Sequence, residues 1–305
     1  MTRAAGPLGA VLEATATAVR GRLGFQLGQG ANPLVLLQRV AFVDDTGRFD
    51  EQAEAALMRW SAEQALGQDP ELVELVARRR KRALEALLAR RRHVERLRVA
   101  PAWHLAVGLG NRANPYEIGL SLHGTYGWPV IPGSTLKGVT CAWATQSGAE
   151  PDQITALFGL PRPADPREQH NGEHPGRRDN DRDEHRVSRG TVWFLDALPA
   201  GAPVQVARDV LTPHVQPYYR DTSDTEAPAR HPSPPAEYHN PMPVQFLVVN
   251  GGSFAVDLAG PVADDVRLAA GWCAAALRDL GAGAKTSAGY GYLQVDAVSL
   301  DGGAA

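Results

Sequence analysis

The chain has 305 residues, of which 44% are hydrophobic and 21% charged, a composition typical of globular proteins with a substantial core. Its formal net charge of -3 counts mildly against nucleic-acid binding, which usually leaves a basic footprint. No apolar run approaches the ~20 residues of a transmembrane helix, and the N-terminus does not resemble a signal peptide. Cys141 and Cys273 lie far apart in apolar segments, which excludes a CxxC motif. We therefore expect a cytoplasmic protein without membrane contact.

The first hundred residues are predicted to form a helical N-terminal region. Helices are predicted over residues 10–20, 50–66 and 70–98. The third helix is the longest of the three and has a broad apolar stripe on one side. The stripe consists of Leu72, Val76, Leu84, Leu87 and Val94.

Basic residues are concentrated in this third predicted helix, where residues 71–98 hold ten basic and four acidic side chains. A charged helix face is often only solvated, and contact with RNA or with a partner protein is an equally good alternative. The residues assigned to this possible contact are Arg78, Lys81, Arg82 and Arg92, with Arg96 and Arg98 placed on the same face.

After residue 100 the pattern changes to short strands interrupted by two helices. Strands are predicted over residues 103–109, 117–122, 191–197, 244–249 and 253–258, and a last strand is predicted to end at about residue 298. Helices are predicted over residues 132–145 and 264–280. Asn250, Gly251 and Gly252 predict a hairpin between the strands that flank them. The order strand–helix–strand, repeated, predicts an α+β, ferredoxin-like core over residues 101–300, with insertions at about 161–189 and 199–243.

A glycine-rich loop, residues 281–291 (GAGAKTSAGYG), follows the last predicted helix. It is not a P-loop, because Ala284 precedes Lys285 and because a helix enters the loop and a strand leaves it. Small residues let backbone amides approach an anion, and Tyr290 and Tyr292 could stack on bases. A tight helix-to-strand connection is the alternative. The residues assigned to RNA contact are Gly281, Gly283, Lys285, Thr286, Ser287, Gly289, Tyr290 and Gly291.

A second loop, residues 123–138 (HGTYGWPVIPGSTLKG), leads into the first helix of the predicted core. Ser134, Thr135 and Lys137 fall in the first turn of this helix, where hydroxyls, amides and a lysine favour an anion. Capping by Ser134 alone is the alternative explanation. His123, which precedes the turn, is a further possible contact with RNA or a partner.

The segments IPGSTLKG (131–138) and GAGAKTSAGYG (281–291) resemble the two signatures of the RAMP superfamily of CRISPR proteins. Four further segments occur in an order that resembles the family formed by the sixth subunits of type III-B Cmr effector complexes. They are FG at 158–159, GTVWFLDALP at 190–199, DVLTPHVQPYY at 209–219 and NPMPVQFLVV at 240–249. The resemblance covers roughly residues 100–298.

This resemblance implies a ferredoxin-like core that binds guide RNA toward its 3′ end. The implied partners are the guide RNA, its RNA target and the other subunits of the effector complex. Lys137 and Lys285, with the residues that flank them, match the motif positions and would contact RNA. The resemblance implies that this is neither the subunit that cuts target RNA nor the one that makes cyclic nucleotides. We therefore expect no catalytic residue, and we predict no cofactor.

Two alternatives remain open at this point. Metal-free RNA cleavage needs a general base and a general acid, most often histidine. Its candidates are His104, His123 and His214, but no partner that orients them is evident, although Asp209 could pair with His214. A protein–protein scaffold is the other alternative, in which the glycine-rich loops only pack. No metal site is predicted, because these histidines lack ligand spacing: His170, His174, His185, His231 and His239.

Overall fold

A computed structural model gives the architecture of the chain. It describes residues 3–5, 32–39, 41–44, 46–48, 51–109, 120–160, 189–212 and 243–297, with isolated positions between 215 and 241. The helix predicted over residues 10–20 and nearly all of the insertion predicted at 161–189 lie outside the described residues.

Short strands and longer helices alternate along the described residues. The elements are β1 (Arg3–Ala5), α1 (Pro33–Gln38), β2 (Ala41–Val43), α2 (Glu51–Glu63), α3 (Pro70–Ala89), β3 (His93–Pro101), α4 (Gly133–Gln146), α5 (Pro151–Phe158), β4 (Trp193–Phe194), β5 (Leu198–Pro199), β6 (Gln205–Leu211), β7 (Val244–Gly251), β8 (Phe254–Gly260), α6 (Ala263–Asp279) and β9 (Leu293–Ala297). Within these residues, no helix is both long enough and apolar enough to cross a bilayer.

The central sheet contains β4, β8, β3 and β9 in that order, and each neighbouring pair is antiparallel. Strand β5 also pairs with β8. Helices α4 and α6 pack against each other, and α6 packs on β3, β8 and β9. The apolar side of α6 supplies much of this core, because Val266, Cys273 and Leu277 are fully buried. The predicted α+β class is therefore confirmed.

The helix predicted over residues 70–98 is too long. Helix α3 begins at Pro70, where the Asp69 side chain accepts a hydrogen bond from the Glu71 amide, and it ends at Ala89. Arg91 then adopts a left-handed conformation with φ 55°, which stops the helix without glycine or proline. The chain continues as β3, the strand between β8 and β9. The central sheet therefore includes residues on the N-terminal side of the boundary predicted at residue 100.

The predicted hairpin at Asn250–Gly252 is also wrong. Strand β7 pairs with β6, whereas β8 pairs with β3, so the chain passes from one sheet to the other at this point. Gly252 permits the crossing because it has φ +84° and because a Cβ there would lie 2.8 Å from the Val204 Cα. Strand β6 lies inside the segment 199–243 that was predicted to be an insertion.

Other predictions differ mainly in detail. The helices predicted over 50–66, 132–145 and 264–280 are confirmed as α2, α4 and α6. In place of the strand predicted over 103–109, only isolated bridges form, Leu105 with Val249 and Gly108 with Leu120. Of the strand predicted over 191–197 only β4 forms, and β5 follows just beyond that range. Helix α5 was not predicted.

A buried ion-pair cluster joins α3 to the central sheet. Asp257 of β8 is 1% exposed, and its carboxylate accepts hydrogen bonds from Arg80 at 2.9 Å and from Arg96 at 2.6 Å. A buried carboxylate requires such partners, because its desolvation is otherwise very costly. Arg96, predicted to share an exposed face with Arg92, therefore serves the fold instead.

Candidate nucleic-acid interface

Helix α4 begins one residue earlier than its predicted cap. Its N-cap is Pro132, so the prediction that Ser134 caps the helix is wrong. The Gly133 amide donates a hydrogen bond of 2.7 Å to the Asp196 carboxylate, and two further first-turn amides donate to the Pro132 carbonyl. These amides are satisfied within the protein, so any ligand contact at this turn falls mainly to side chains.

A groove of about 350 Å³ lies beside the first turn of α4, and we call it the Trp193 groove. One wall is the start of α4 and the other is the segment that leads into β4. Its lining residues are Gly133, Ser134, Lys137, Arg189, Gly190, Val192, Trp193, Phe194 and Leu195.

Gly133 brings the two walls of the Trp193 groove together, and Gly190 packs one of these walls against α5. A Cβ at Gly133 would lie 2.3 Å from the Phe194 carbonyl oxygen, and one at Gly190 would lie 2.2 Å from the Leu157 carbonyl oxygen. Neither distance is compatible with a larger residue unless backbone moves. Gly133 of IPGSTLKG and Gly190 of GTVWFLDALP are therefore required by the close approach of neighbouring backbone segments, whereas a Cβ at Gly138 would meet nothing within 4 Å.

Basic side chains gather around the Trp193 ring. The guanidinium carbons of Arg92 and Arg189 lie 5.7 and 5.9 Å from its centroid, within cation–π range. Lys137 and Ser134 line the same groove. The structure thus brings Arg92, predicted on the basic helix, close to the groove that is lined by Ser134 and Lys137, which were predicted together in the first turn of α4. Sequence reasoning missed Arg189 and Trp193 as site residues, although Trp193 lies in one of the recognised segments.

The Trp193 groove combines groups that suit single-stranded nucleic acid. Arginine and lysine bind phosphate oxygens, and arginine can do so with two parallel hydrogen bonds. An indole ring provides a surface on which bases stack, and Ser134 is exposed and adds a hydroxyl donor. Thr135, the remaining residue predicted here, is half-buried beside it.

The glycine-rich loop is fastened to the segment that follows β3. The Ala284 amide donates to the Ala106 carbonyl at 2.8 Å, and the Gly291 amide donates to the His104 carbonyl at 2.7 Å. The two ends of the loop also meet, because the Ala282 amide donates to the Gly291 carbonyl at 2.8 Å. A helix enters this loop and a strand leaves it, which confirms the distinction from a P-loop.

Three of its four glycines are explained by packing. A Cβ at Gly283 would lie 2.4 Å from the Ala106 carbonyl oxygen, and one at Gly291 would lie 2.2 Å from the Ala282 carbonyl oxygen. A Cβ at Gly281 would lie 3.0 Å from the carbonyl group of Gly291. Gly289 has φ +91° but open space around its Cβ position. The contact of these glycines with RNA remains a prediction.

The tip of the loop is more accessible than its ends. Ser287 is exposed, and Lys285 and Thr286 are half-buried. Lys285 has φ 60° and begins a short 3-10 turn. Gly283 and Gly289 are also exposed, whereas Gly281, Tyr290 and Gly291 are buried. The part of the predicted contact that a ligand can reach therefore extends from Gly283 to Gly289.

Tyr290 is buried and participates in a hydrogen-bonded cluster. Its hydroxyl donates to the Asp209 carboxylate at 2.7 Å, and His104 Nδ1 lies 2.9 Å from the same oxygen. Because a carboxylate only accepts, His104 Nδ1 is the donor. Partial burial would raise the pKa of Asp209, but the hydrogen bonds that it accepts outweigh burial and lower it. Burial, followed by the contact with Asp209, raises the pKa of Tyr290 to about 12.

This cluster changes two expectations. Asp209, considered as a partner of His214, orients His104 instead, and His214 lies outside the described residues. Tyr290 is 9% exposed, so the ring has a packing role and its predicted contact with RNA remains untested. The pair of His104 and Asp209 could not be predicted, because the two residues are far apart along the chain.

His123 lies in a different cluster, beside α3. Its Nδ1 accepts hydrogen bonds from the Thr125 and Tyr126 amides, and its ring stacks on Tyr126 with centroids 4.8 Å apart. Burial is the main cause that lowers the pKa of His123. A neutral ring held by backbone amides is typical of a structural histidine. His123, Arg79 and Tyr126 nevertheless line a pocket of about 380 Å³.

The remaining basic side chains of α3 form an exposed face. Arg78 lies 3.9 Å from Glu74, and Lys81 lies 3.9 Å from Glu85, both as neighbours one helical turn apart. Arg82 is exposed on the same helix. Exposed pairs of this kind contribute little to stability, so they leave the role of the face open between RNA and a partner.

Within the described residues, no group of three or more His, Cys, Asp or Glu side chains could hold a metal ion. The histidines considered as metal ligands, His170, His174, His185, His231 and His239, lie outside those residues.

Comparison with known sequences decides the family. The sequence profile of the RAMP superfamily matches residues 99–294, which include the Trp193 groove and the glycine-rich loop. The chain belongs to the RAMP superfamily. The resemblance carried by the two loops is therefore confirmed. The matched region begins within β3 and ends within β9, so it spans nearly the whole segment from the first to the last strand of the central sheet.

Individual relatives of this RAMP chain are also informative. It is 30% identical over 226 residues to the CRISPR system Cmr subunit Cmr6 of Pyrococcus furiosus, and the aligned part covers 62% of this chain and 64% of that relative. The fold is similar to that of a chain in the Type III-B Cmr-beta complex bound to cognate target RNA. That match has a TM-score of 0.57 and 18% identity, and it covers 85% of this chain and 79% of the other.

Proposed function

We propose that this RAMP chain is a non-catalytic RNA-binding subunit of a type III-B CRISPR effector complex in the cytoplasm. In this proposal it holds the guide RNA toward its 3′ end, contacts neighbouring subunits and takes part in RNA-guided interference. Support comes from its similarity to a relative named as a Cmr subunit and to a chain of a Cmr complex bound to target RNA. Both comparisons concern the relatives, and the role of this chain rests on its own geometry.

The Trp193 groove is the observation that carries the proposal. Two arginines lie within cation–π range of one indole ring there, and Lys137 and the exposed Ser134 line the same groove. Phosphate contacts of this kind bind RNA without reading its sequence, which suits a subunit that must accept any guide. The net charge of -3 does not oppose this, because local concentration of basic groups determines where a polyanion binds.

We further propose that the core is ferredoxin-like. The elements β3, α4, β4, β8, α6 and β9 follow the order strand–helix–strand–strand–helix–strand. The first of these strands lies between the third and the fourth in the sheet, and all pairs are antiparallel. This arrangement supports the split βαβ plan.

The proposal can be tested by purifying the tagged chain gently from its native host and sequencing the RNA and identifying the proteins that accompany it. We expect short RNAs with a uniform 5′ end and several companion subunits. The double substitution Lys137→Ala and Arg189→Ala should retain the companions and lose most of the RNA. Arg267→Ala is the matched control, since Arg267 is an exposed arginine paired with Asp264 on α6.

Two results would contradict the proposal. A chain that purifies without RNA or companions would exclude the effector role. A double variant that keeps its RNA but loses its companions would support a protein–protein scaffold, in which the groove residues contact other subunits.

One observation favours a second candidate, a metal-independent endoribonuclease that processes guide RNA. A general base requires a group that orients it, and the Asp209 carboxylate orients His104. The Tyr290 hydroxyl donates a hydrogen bond to the same carboxylate oxygen. Incubation of the purified chain with repeat RNA in excess chelator tests this candidate. We expect intact RNA, and cleavage that His104→Ala abolishes would replace the non-catalytic assignment.

A further inference from the structure

An exposed aromatic side chain lies beside the glycine-rich loop. Trp103 follows the end of β3 and is 52% exposed, whereas Trp128 is buried at 2%. Exposed indole rings are costly to hydrate and can stack on nucleobases or pack against partner proteins. The fold as described gives no internal reason for this exposure, because the Trp103 ring contacts the cluster around Tyr290 with only part of its surface.

The Trp103 ring is held in a fixed orientation. It stacks on His104 with centroids 4.2 Å apart and an angle of 12° between planes, and it lies 5.0 Å from the Tyr290 ring. Asp209 accepts hydrogen bonds from both of these neighbours. The adjacent backbone is fixed as well, because the Ala102 amide donates to the Tyr292 carbonyl at 2.9 Å. A ring fixed in this way loses little conformational entropy when a ligand binds.

The same hydrogen bonds connect Trp103 to Lys285. The Tyr290 amide donates to the Lys285 carbonyl at 3.2 Å, and the Gly291 amide donates to the His104 carbonyl at 2.7 Å. A flat exposed ring and a lysine therefore belong to one rigid unit. Stacking on an aromatic ring combined with a cation for the backbone is how proteins bind single-stranded nucleic acids without sequence preference.

We propose that Trp103, supported by His104, is a stacking platform for an unpaired nucleobase of RNA whose backbone contacts the Lys285 loop. This inference rests on the proposed RNA-binding function and adds a base contact to it. It also gives a role to residues outside the Trp193 groove. Base stacking of this kind accepts any base, because every base has a flat π surface.

A partner protein is the competing occupant. Leu211 and Val244 are exposed and pair with each other across β6 and β7, two residues beyond Asp209 along β6. They could extend an apolar surface from the cluster toward a neighbouring subunit. The parallel stack of two rings, which backbone hydrogen bonds connect to the Lys285 loop, favours a nucleobase, whose flat face would continue the stack.

Photochemical crosslinking tests the proposal directly. The full-length protein is mixed with a single-stranded oligouridylate that carries 5-iodouracil, irradiated, digested and analysed by mass spectrometry. We expect a crosslinked peptide in which Trp103 is modified. In binding titrations with the unmodified oligouridylate, Trp103→Ala should weaken binding by roughly tenfold, whereas Trp103→Phe should retain most of the affinity because it keeps a flat ring. Val262→Ala, at another exposed apolar position, should have no effect.

The outcomes separate this inference from the proposed function. RNA that binds and crosslinks near Lys137 or Trp193, but not at Trp103, with unchanged affinity of Trp103→Ala, would overturn the stacking platform alone. Loss of companion subunits from Trp103→Ala purified from the host, with RNA affinity unchanged, would assign Trp103 to a protein contact and would also overturn it. An oligouridylate that does not bind at all would overturn both proposals.

Discussion

The two lysine-bearing loops, residues 131–138 and 281–291, contain the same residue types but use them differently. In the first loop one glycine brings α4 against β4, and the side chains of Ser134 and Lys137 face the open Trp193 groove. In the second loop most glycines approach backbone of the same loop or of the segment after β3. Only its middle part, residues 283–289, is open to a ligand.

The difference shows what glycine in a loop indicates. A glycine-rich sequence suggests backbone that approaches something closely, but the partner can be the protein itself. At Gly133, Gly190 and Gly283 the partner is a carbonyl group of the same chain. Ligand contact is better judged from the basic and aromatic side chains that these close approaches bring together.

The largest loss of stability is expected for Gly283→Ala, which tests whether the glycine-rich loop serves mainly to pack against the rest of the protein. A Cβ there would meet the Ala106 carbonyl oxygen at 2.4 Å, and φ is +91°. Left-handed strain and the required backbone shift should together reduce the free energy of unfolding by roughly 2–5 kcal/mol. Urea denaturation of purified variants measures this loss.

Gly289→Ala is the matched control for that experiment. Gly289 also has φ +91°, but a Cβ there would meet nothing within 4 Å. Gly289→Ala should therefore reduce the free energy of unfolding only by the left-handed backbone strain, about 1–2 kcal/mol. Equal losses for both variants would show that close approach to Ala106 is not what Gly283 provides.

An intermediate effect is expected for Arg189 in the Trp193 groove. Arg189→Ala should weaken binding of a single-stranded RNA by about tenfold, because a charge-assisted hydrogen bond contributes roughly 1.5–3 kcal/mol and part of it is replaced by water. Arg189→Lys should recover only part of the affinity, because lysine lacks the planar fork that binds phosphate and stacks on Trp193. Binding isotherms for both variants, with Arg267→Ala as control, measure this difference. Full affinity in Arg189→Ala would remove the groove from the binding surface.

The smallest effect on stability concerns Tyr290, which attaches the glycine-rich loop to Asp209 of β6. Because the pKa of Tyr290 is raised from 10.0 to about 12, its contribution to stability is complete below pH 10 and is lost as pH rises toward 12. Absorbance titration of the tyrosines should show one group that ionises late in the wild type and that disappears in Tyr290→Phe. In Asp209→Asn the late group should ionise closer to pH 10, since the carboxylate charge has been removed. A late group unaffected by both substitutions would contradict the cluster.

Sequence reasoning succeeded where local periodicity and local pairing agree. Helices α2, α4 and α6 could be predicted from local signals, such as the recurring apolar residues of α6 and the Pro-Gly-Ser start of α4. It failed at Arg91, where a left-handed arginine ends α3 without any of the usual stop residues. It failed also at Gly252, because a glycine pair between two strands indicates a hairpin locally, whereas the two strands belong to different sheets.

The candidate site was predicted only in part, for a related reason. Lys137, Ser134 and Arg92 could be named from the sequence, but not the indole that brings them together. Arg96 could not be distinguished from Arg92, because only the folded chain places buried Asp257 beside it. Asp209 and His104 are likewise joined by tertiary structure. Contacts between residues far apart in sequence leave no periodic pattern to recognise.

The most direct test of the account is the salt dependence of RNA binding by the purified chain. We predict that the logarithm of the binding constant falls linearly with the logarithm of salt concentration. Each lysine that contacts a phosphate of single-stranded RNA contributes about 0.7 to the slope. Lys137→Ala and Lys285→Ala should each reduce the slope by about that amount, while Arg267→Ala leaves it unchanged. A flat salt response, or slopes that neither lysine substitution alters, would contradict phosphate binding by the two loops.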